Sequence, residues 1–168
     1  MLDFFTPVVF ASNKVINFYR KILPDINFNF TSIKDFSKIN HKQINIYNCW
    51  EEEISITPGE LNETGGKYAI KSLKAATQAL KDGNVNAIVT PPIHKKNVHN
   101  SEFPYTGHTP FFKDFFEQKD VVMLLAAGNF RVGLVTEHVS VKDIVQHITK
   151  ENILSKEECS RTGLENEY

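Results

Sequence analysis

Cysteine is scarce in this chain, with Cys49 and Cys159 the two examples in 168 residues. That excludes a disulfide framework and fits reduced thiols in a cytoplasmic protein. Charge of one sign is lacking too. A net charge of -1 removes the basic footprint that nucleic acid or an anionic membrane surface requires. No apolar run reaches the roughly 18–20 residues that span a bilayer. The start, Met1-Leu2-Asp3-Phe4-Phe5, has an acid where a secretory signal carries basic residues. The eight glycines never form G-x-G-x-x-G, so the dinucleotide fingerprint is missing. Gly128-Asn129-Phe130-Arg131-Val132-Gly133 is not followed by Lys-Ser or Lys-Thr, which excludes a P-loop. A G-x-S-x-G nucleophile elbow is absent as well.

What remains is an ordinary globular composition, 41% hydrophobic and 23% charged, long enough for one domain with a real core. Strand-like and helix-like segments alternate. Pro7-Val8-Val9-Phe10-Ala11 is an apolar run ending at Ser12-Asn13, a cap for a helix reaching about residue 23. Residues 26–32 and 43–49 are rich in β-formers. The clearest helix covers 64–82, where Ala69, Leu73, Ala76 and Leu80 make an apolar stripe and Gly83 a left-handed stop. Ala87-Ile88-Val89-Thr90 predicts a short strand halted by Pro91-Pro92, and residues 109–117 a helix bearing Phe111, Phe112, Phe115 and Phe116. Two further strands are expected over 121–127 and 131–136. Ser140-Val141-Lys142-Asp143 reads as a capping box that opens a helix with Ile144, Val145 and Ile148 inward. The polar tail from Ser155 reads as aperiodic. This alternation predicts a three-layer α/β/α domain with a mixed or largely parallel sheet.

The chemistry-bearing residues concentrate in the second half. His138 follows an apolar β-branched run and is expected at the carboxyl end of a strand, where open α/β sheets bind ligands. It is either a metal ligand oriented by an acid such as Glu137, or a cap for the next loop. His108, between Gly107 and Thr109, falls just before a helix whose backbone N–H groups favour an anion, and Thr109 can serve as its N-cap. His94 and His99 sit in a loop with prolines and lysines, and His147 lies between apolar helix positions. For His99 and His147 a solvated surface role is the better reading.

Five pieces in order carry a family resemblance. They are Pro58-Gly59-Glu60-Leu61-Asn62, Gly66-Lys67-Tyr68, residues 87–95 (Ala-Ile-Val-Thr-Pro-Pro-Ile-His-Lys), Thr106-Gly107-His108-Thr109, and residues 131–143 with Thr136-Glu137-His138 at their centre. Through them the sequence resembles the 4-hydroxythreonine-4-phosphate dehydrogenases of vitamin B6 biosynthesis, the PdxA family. The resemblance implies metal-dependent, NAD- or NADP-linked oxidation and decarboxylation of a small phosphorylated amino acid, in a cytoplasmic homodimer with no nucleic-acid or membrane partner. It implies His108 and Thr109 as the substrate-binding pair, His138 as a ligand of the divalent metal (Zn, Mg or Co), and His94 and Lys95 as lining the same cleft. No catalytic acid or base is assigned.

The departures from the family shape the expectation as much as the matches. Pro91 stands where many relatives have glycine, which stiffens the turn. The family's opening strand and Gly-Asp-Pro-type loop are not matched, nor are the segments with its other metal histidines and phosphate-binding residues. The reading is therefore a partial dehydrogenase domain over 1–154 and a tail over 155–168 outside the resemblance, inactive alone. The alternatives are a phosphorylated-threonate dehydrogenase of the same family, a phosphate acyltransferase-like protein, and a non-catalytic remnant. The phenylalanine-rich helix is the expected exposed patch of an incomplete sheet, in part a dimer surface in the family, although phenylalanine in a helix is core more often than interface.

Overall fold

The structure is a computed structural model that describes residues 2–23, 28–100 and 102–165. The chain divides into two compact units, Met1–Gly107 and His108–Tyr168, where the sequence reading had set a single domain over 1–154.

The first unit is built on a parallel sheet. Strand β1 (Val8–Ala11) is followed by helix α1 (Asn13–Ile22), strand β2 (Phe30–Ile33), a single 3-10 turn (Phe36–Lys38) and strand β3 (Ile44–Asn48). The order is β1-β3-β2, with Val9 opposite Ile46 and Ser32 opposite the same residue on the other side. The predicted strand over 26–32 is observed from Phe30; its first residues, 26 and 27, lie outside the described residues. Ser12 caps α1 as its sequence position suggests, its hydroxyl accepting from the Lys14 N–H at 3.3 Å. Asn45 is fully buried in the middle strand and fully engaged. Its side-chain oxygen accepts from the Asn40 N–H at 2.9 Å and its amide donates to the carbonyls of Asn40 and Gln43. A polar group that satisfies its partners in this way can be buried without the usual desolvation penalty.

Helix α2 (Glu63–Lys81) packs against β1 and supplies the largest share of the core. Asn62 caps it, accepting from the Gly65 N–H at 2.7 Å, and Gly83 ends it with a φ of 73°. The expected stripe is nearly right. The buried line runs through Gly66, Ile70, Leu73 and Thr77, with Ala76 and Ala79 beside it, so the face is turned slightly from the predicted one. Thr77 is accommodated because its hydroxyl donates to the Leu73 carbonyl at 2.8 Å. Ile33, Ile46, Trp50, Val98 and Phe103 complete this core, with the Trp50 ring 4.6 Å from that of Tyr68.

One expected strand does not form. Residues 87–90 lie in no strand, and Val89 is 94% exposed. β-branched residues favour a pleated, half-buried surface, and among the described residues no strand pairs with this segment, which leaves Val89 in solvent while Ile88 and Thr90 are half-buried. The chain then turns into the short helix α3 (Lys95–Val98).

The second unit opens with helix α4 (His108–Phe115). Strands β4 (Leu124–Ala127) and β5 (Phe130–Gly133) form an antiparallel hairpin, each shorter than predicted. Gly128 takes a φ of 58° at the first position of the two-residue turn, where a II′ turn needs glycine. The capping box is altered. The Ser140 hydroxyl bonds the Asp143 carboxylate rather than a backbone N–H, and a 3-10 turn (Val141–Asp143) leads into helix α5 (Ile144–His147). Of the residues expected inward, Ile144 is half-buried while Val145 and Ile148 are exposed. The tail read as aperiodic is helix α6 (Lys150–Glu165), which packs on β5. A half-buried ion pair holds α6 in place. Lys156 Nζ lies 2.6 Å from Asp120 Oδ1 and donates to the Val121 carbonyl, while the Ser155 hydroxyl donates to Asp120 Oδ2. Among the described residues, no helix is long and apolar enough to cross a membrane.

Candidate functional site

The expected site residues fall into both units. His94 and Lys95 belong to the first. His94 is the exposed residue before α3, and its carbonyl receives the N–H groups of Asn97 and Val98. Lys95 opens α3, and its Cε lies 4.0 Å from where a Cβ on Gly107 would stand. The end of the lysine stem therefore lies near Gly107. Close approach of α2 sets the position of α3. A Cβ on Gly66 would come within 2.3 Å of the Asn97 carbonyl oxygen, so only glycine lets the two helices meet in this way. The Gly-Lys-Tyr motif thus has a packing reason at its glycine.

An open groove of about 530 Å³ lies along this helix junction, with Glu63, Lys67, Lys96, Asn97 and His99 on its walls. None of the five expected site residues lines it. His99 is exposed here, in keeping with its solvated reading.

In the second unit, His108 is the first residue of α4 and Thr109 the second, so Thr109 lies within the first turn rather than at its cap. The His108 ring stacks on Phe112, with centroids 6.1 Å apart and planes 22° from parallel. Its partial burial lowers the imidazole pKa, which favours the neutral ring. A neutral ring at the start of a helix can offer one N–H donor and one acceptor to a ligand hydroxyl or carboxylate. Behind it, Phe111 is buried and Phe112, Phe115 and Phe116 are half-buried. The phenylalanine helix is therefore not the exposed patch. That role falls to the hairpin, where Leu125 and Phe130 stand 58% and 70% exposed.

His138 lies five residues beyond the end of β5, in a turn rather than at the tip of a longer strand. Its φ is 58°, in the left-handed region that a β-carbon disfavours. Beside it, the Glu137 Oε2 oxygen is buried without a hydrogen-bond partner. A carboxylate oxygen removed from water and left unpaired is costly unless a cation or donor completes it. Strain and an orphaned acceptor at adjacent residues are the pattern of a site, and Glu137 was singled out from sequence as the acid nearest His138. The full donor set is not here, however. Among the described residues, no group of three or more His, Cys, Asp or Glu side chains could hold a metal ion. One imidazole and one neighbouring carboxylate do not retain a divalent ion against water.

A family model described as "Pyridoxal phosphate biosynthetic protein PdxA" matches residues 3–168. The chain belongs to the PdxA family. The match includes residues 155–168, which the sequence reading had placed outside the resemblance, and it agrees with α6 being an ordered part of the fold. Among curated proteins, the chain is 32% identical over 157 residues to a 4-hydroxythreonine-4-phosphate dehydrogenase of Bacteroides thetaiotaomicron, covering 93% of this chain and 43% of that protein. It is 29% identical over 149 residues to the same enzyme of a Sulfurihydrogenibium species, covering 89% and 45%. Among solved structures, the 4-hydroxythreonine-4-phosphate dehydrogenases of Klebsiella pneumoniae and Burkholderia phymatum both superpose with a TM-score of 0.83, at 21% and 24% identity. Each superposition covers 94% of this chain and 49% or 48% of the other, which establishes the PdxA-type α/β fold. The chain thus spans less than half the length of the curated relatives and about half that of the solved ones.

Proposed function

We propose that this chain carries part of the active site of a 4-hydroxythreonine-4-phosphate dehydrogenase, the part that holds substrate and supplies one metal ligand. The observation that carries the reading is the family match over residues 3–168, with Gly107-His108-Thr109 opening a helix and a strained His138 beside an unpartnered Glu137 oxygen. In this reading the neutral His108 ring and the Thr109 hydroxyl hydrogen-bond the polar groups of 4-phosphohydroxy-L-threonine. Such hydrogen bonds orient the secondary alcohol for loss of hydride to NAD or NADP.

The metal is treated differently. The described residues do not make a shell for a divalent ion, so His138 is assigned as one ligand and no step is routed through the ion. The remaining donors belong to lengths of the family's fold that this chain does not span. The same holds for the homodimer that relatives would form and for a cytoplasmic setting, both of which are carried by the resemblance alone.

Nuclear magnetic resonance titration of the purified chain with 4-phosphohydroxy-L-threonine tests the assignment. Saturable shifts at His108 and Thr109, lost in His108→Ala, are expected. So is the absence of NAD reduction by the chain alone, whether Zn2+, Mg2+ or Co2+ is present. Unchanged resonances at both residues would overturn the substrate assignment, and turnover by the chain alone would overturn the partial-site reading.

A further inference from the structure

The β4–β5 hairpin presents an apolar face to solvent. Its register places Leu125 opposite Val132 and Ala127 opposite Phe130, and residues opposite one another in an antiparallel pair point to the same side. Leu125, Ala127, Phe130 and Val132 therefore share one face with no polar side chain on it. Both large outer members, Leu125 and Phe130, are mostly exposed, and the same unit also exposes Val145 and Ile148. A two-stranded hairpin is marginal in water on its own, and a contiguous exposed apolar face marks an interaction surface.

The comparisons indicate what covers it. The Bacteroides thetaiotaomicron relative is matched over 43% of its length, and the Klebsiella pneumoniae structure superposes over 49% of its chain. More than half of the relative's fold is thus still to be accommodated on the matched portion, and an apolar face shared by one side of a hairpin is where such a fold continues. We propose that the face of Leu125, Ala127, Phe130 and Val132 is the seat of the portion of the PdxA fold that this chain does not span, and that this portion binds there when supplied as a separate polypeptide. The inference rests on family membership and not on the catalytic reading above.

The test mixes the purified chain with an affinity-tagged polypeptide comprising the part of the Bacteroides thetaiotaomicron relative that this chain does not match. Stoichiometric capture is expected, with amide exchange in residues 124–133 slowed about tenfold or more. Leu125→Asp and Phe130→Ser each weaken capture by roughly tenfold, because each puts a polar group into the covered face. Ala126→Ser, on the opposite face of the same hairpin, binds like the parent chain and shows that the effect is not general loss of the hairpin. Failure of capture, capture that leaves hairpin exchange unchanged, or capture indifferent to both substitutions overturns the proposal. So does a homodimer of the chain alone that protects residues 124–133, which would make a second copy the occupant. Since the readout is binding, it stands or falls apart from any result on substrate.

Discussion

Gly66→Ala separates helix propensity from tertiary packing. In an isolated helix the exchange favours the folded state by about 0.8–1 kcal/mol, since alanine is the better helix former. In this structure the new Cβ would stand 2.3 Å from the Asn97 carbonyl oxygen and 3.0 Å from that residue's carbonyl carbon. That is about 1 Å inside ordinary contact, and the obstacle is backbone, so α2 or α3 must move. Overpacking of this kind costs about 1–3 kcal/mol, and rigid backbone places it at the upper end. The net expectation is destabilisation of about 1–2 kcal/mol, opposite in sign to the propensity effect. The neighbouring Gly65→Ala is the control. Its Cβ would meet only the Asn62 side-chain oxygen at 3.3 Å and the Asn97 amide at 3.8 Å, so it should be neutral or mildly stabilising. Urea unfolding followed by Trp50 fluorescence is the assay, because Trp50 is the single tryptophan and packs on Tyr68 of α2. A Gly66→Ala protein as stable as Gly65→Ala would refute the close approach, and with it the account of how α3 is placed before Gly107.

Four more outcomes follow from particular contacts. His138→Gly should stabilise the second unit by about 1 kcal/mol, since glycine adopts a φ of 58° without the steric penalty, and hydrogen exchange over α5 and α6 would reveal it; a loss of stability would mean that the imidazole makes interactions that outweigh the strain. Lys156→Ala should cost on the order of 1 kcal/mol and speed exchange throughout α6, because it breaks the ion pair with Asp120 and the bond to the Val121 carbonyl. Desolvation raises the Asp120 pKa, but the bonds from Lys156, the Val121 N–H and Ser155 outweigh it and leave a net lowering. A carboxyl lowered in the folded state stabilises above its unfolded value, so α6 protection should hold at neutral pH and fall on acidification through the folded value, below about 3.9. Burial pushes the Cys49 thiol up to about 11 despite the opposing charge of Lys71, so iodoacetamide at mildly alkaline pH should modify it on the order of a hundredfold more slowly in the native protein than in urea; equal rates in the two states would show that the thiol is not sequestered.

The local signals that worked share a property: their partners lie nearby in the chain. Ser12 caps its helix, Gly83 takes a left-handed angle, and the apolar spacing of α2 needs only its own turns. The failures needed distant partners. Among the described residues, 87–90 have strand composition and no strand beside them, and Val145 and Ile148 have inward spacing yet stay exposed. The C-terminal segment looked aperiodic because α6 has little apolar patterning, and the contacts that hold it, to Asp120, Val121 and β5, are made with residues far back in the chain.

By itself, then, the sequence determined the family and the alternation of helices and strands, since these depend on residue type and short spacing. Only the tertiary structure decided that His138 sits in a strained turn beside an unpartnered Glu137 oxygen, that Gly66 exists for the sake of Asn97, and that the exposed apolar surface is the hairpin rather than the phenylalanine helix. Burial and strain are properties of what surrounds a residue, and those surroundings are set by contacts between segments that no local pattern encodes.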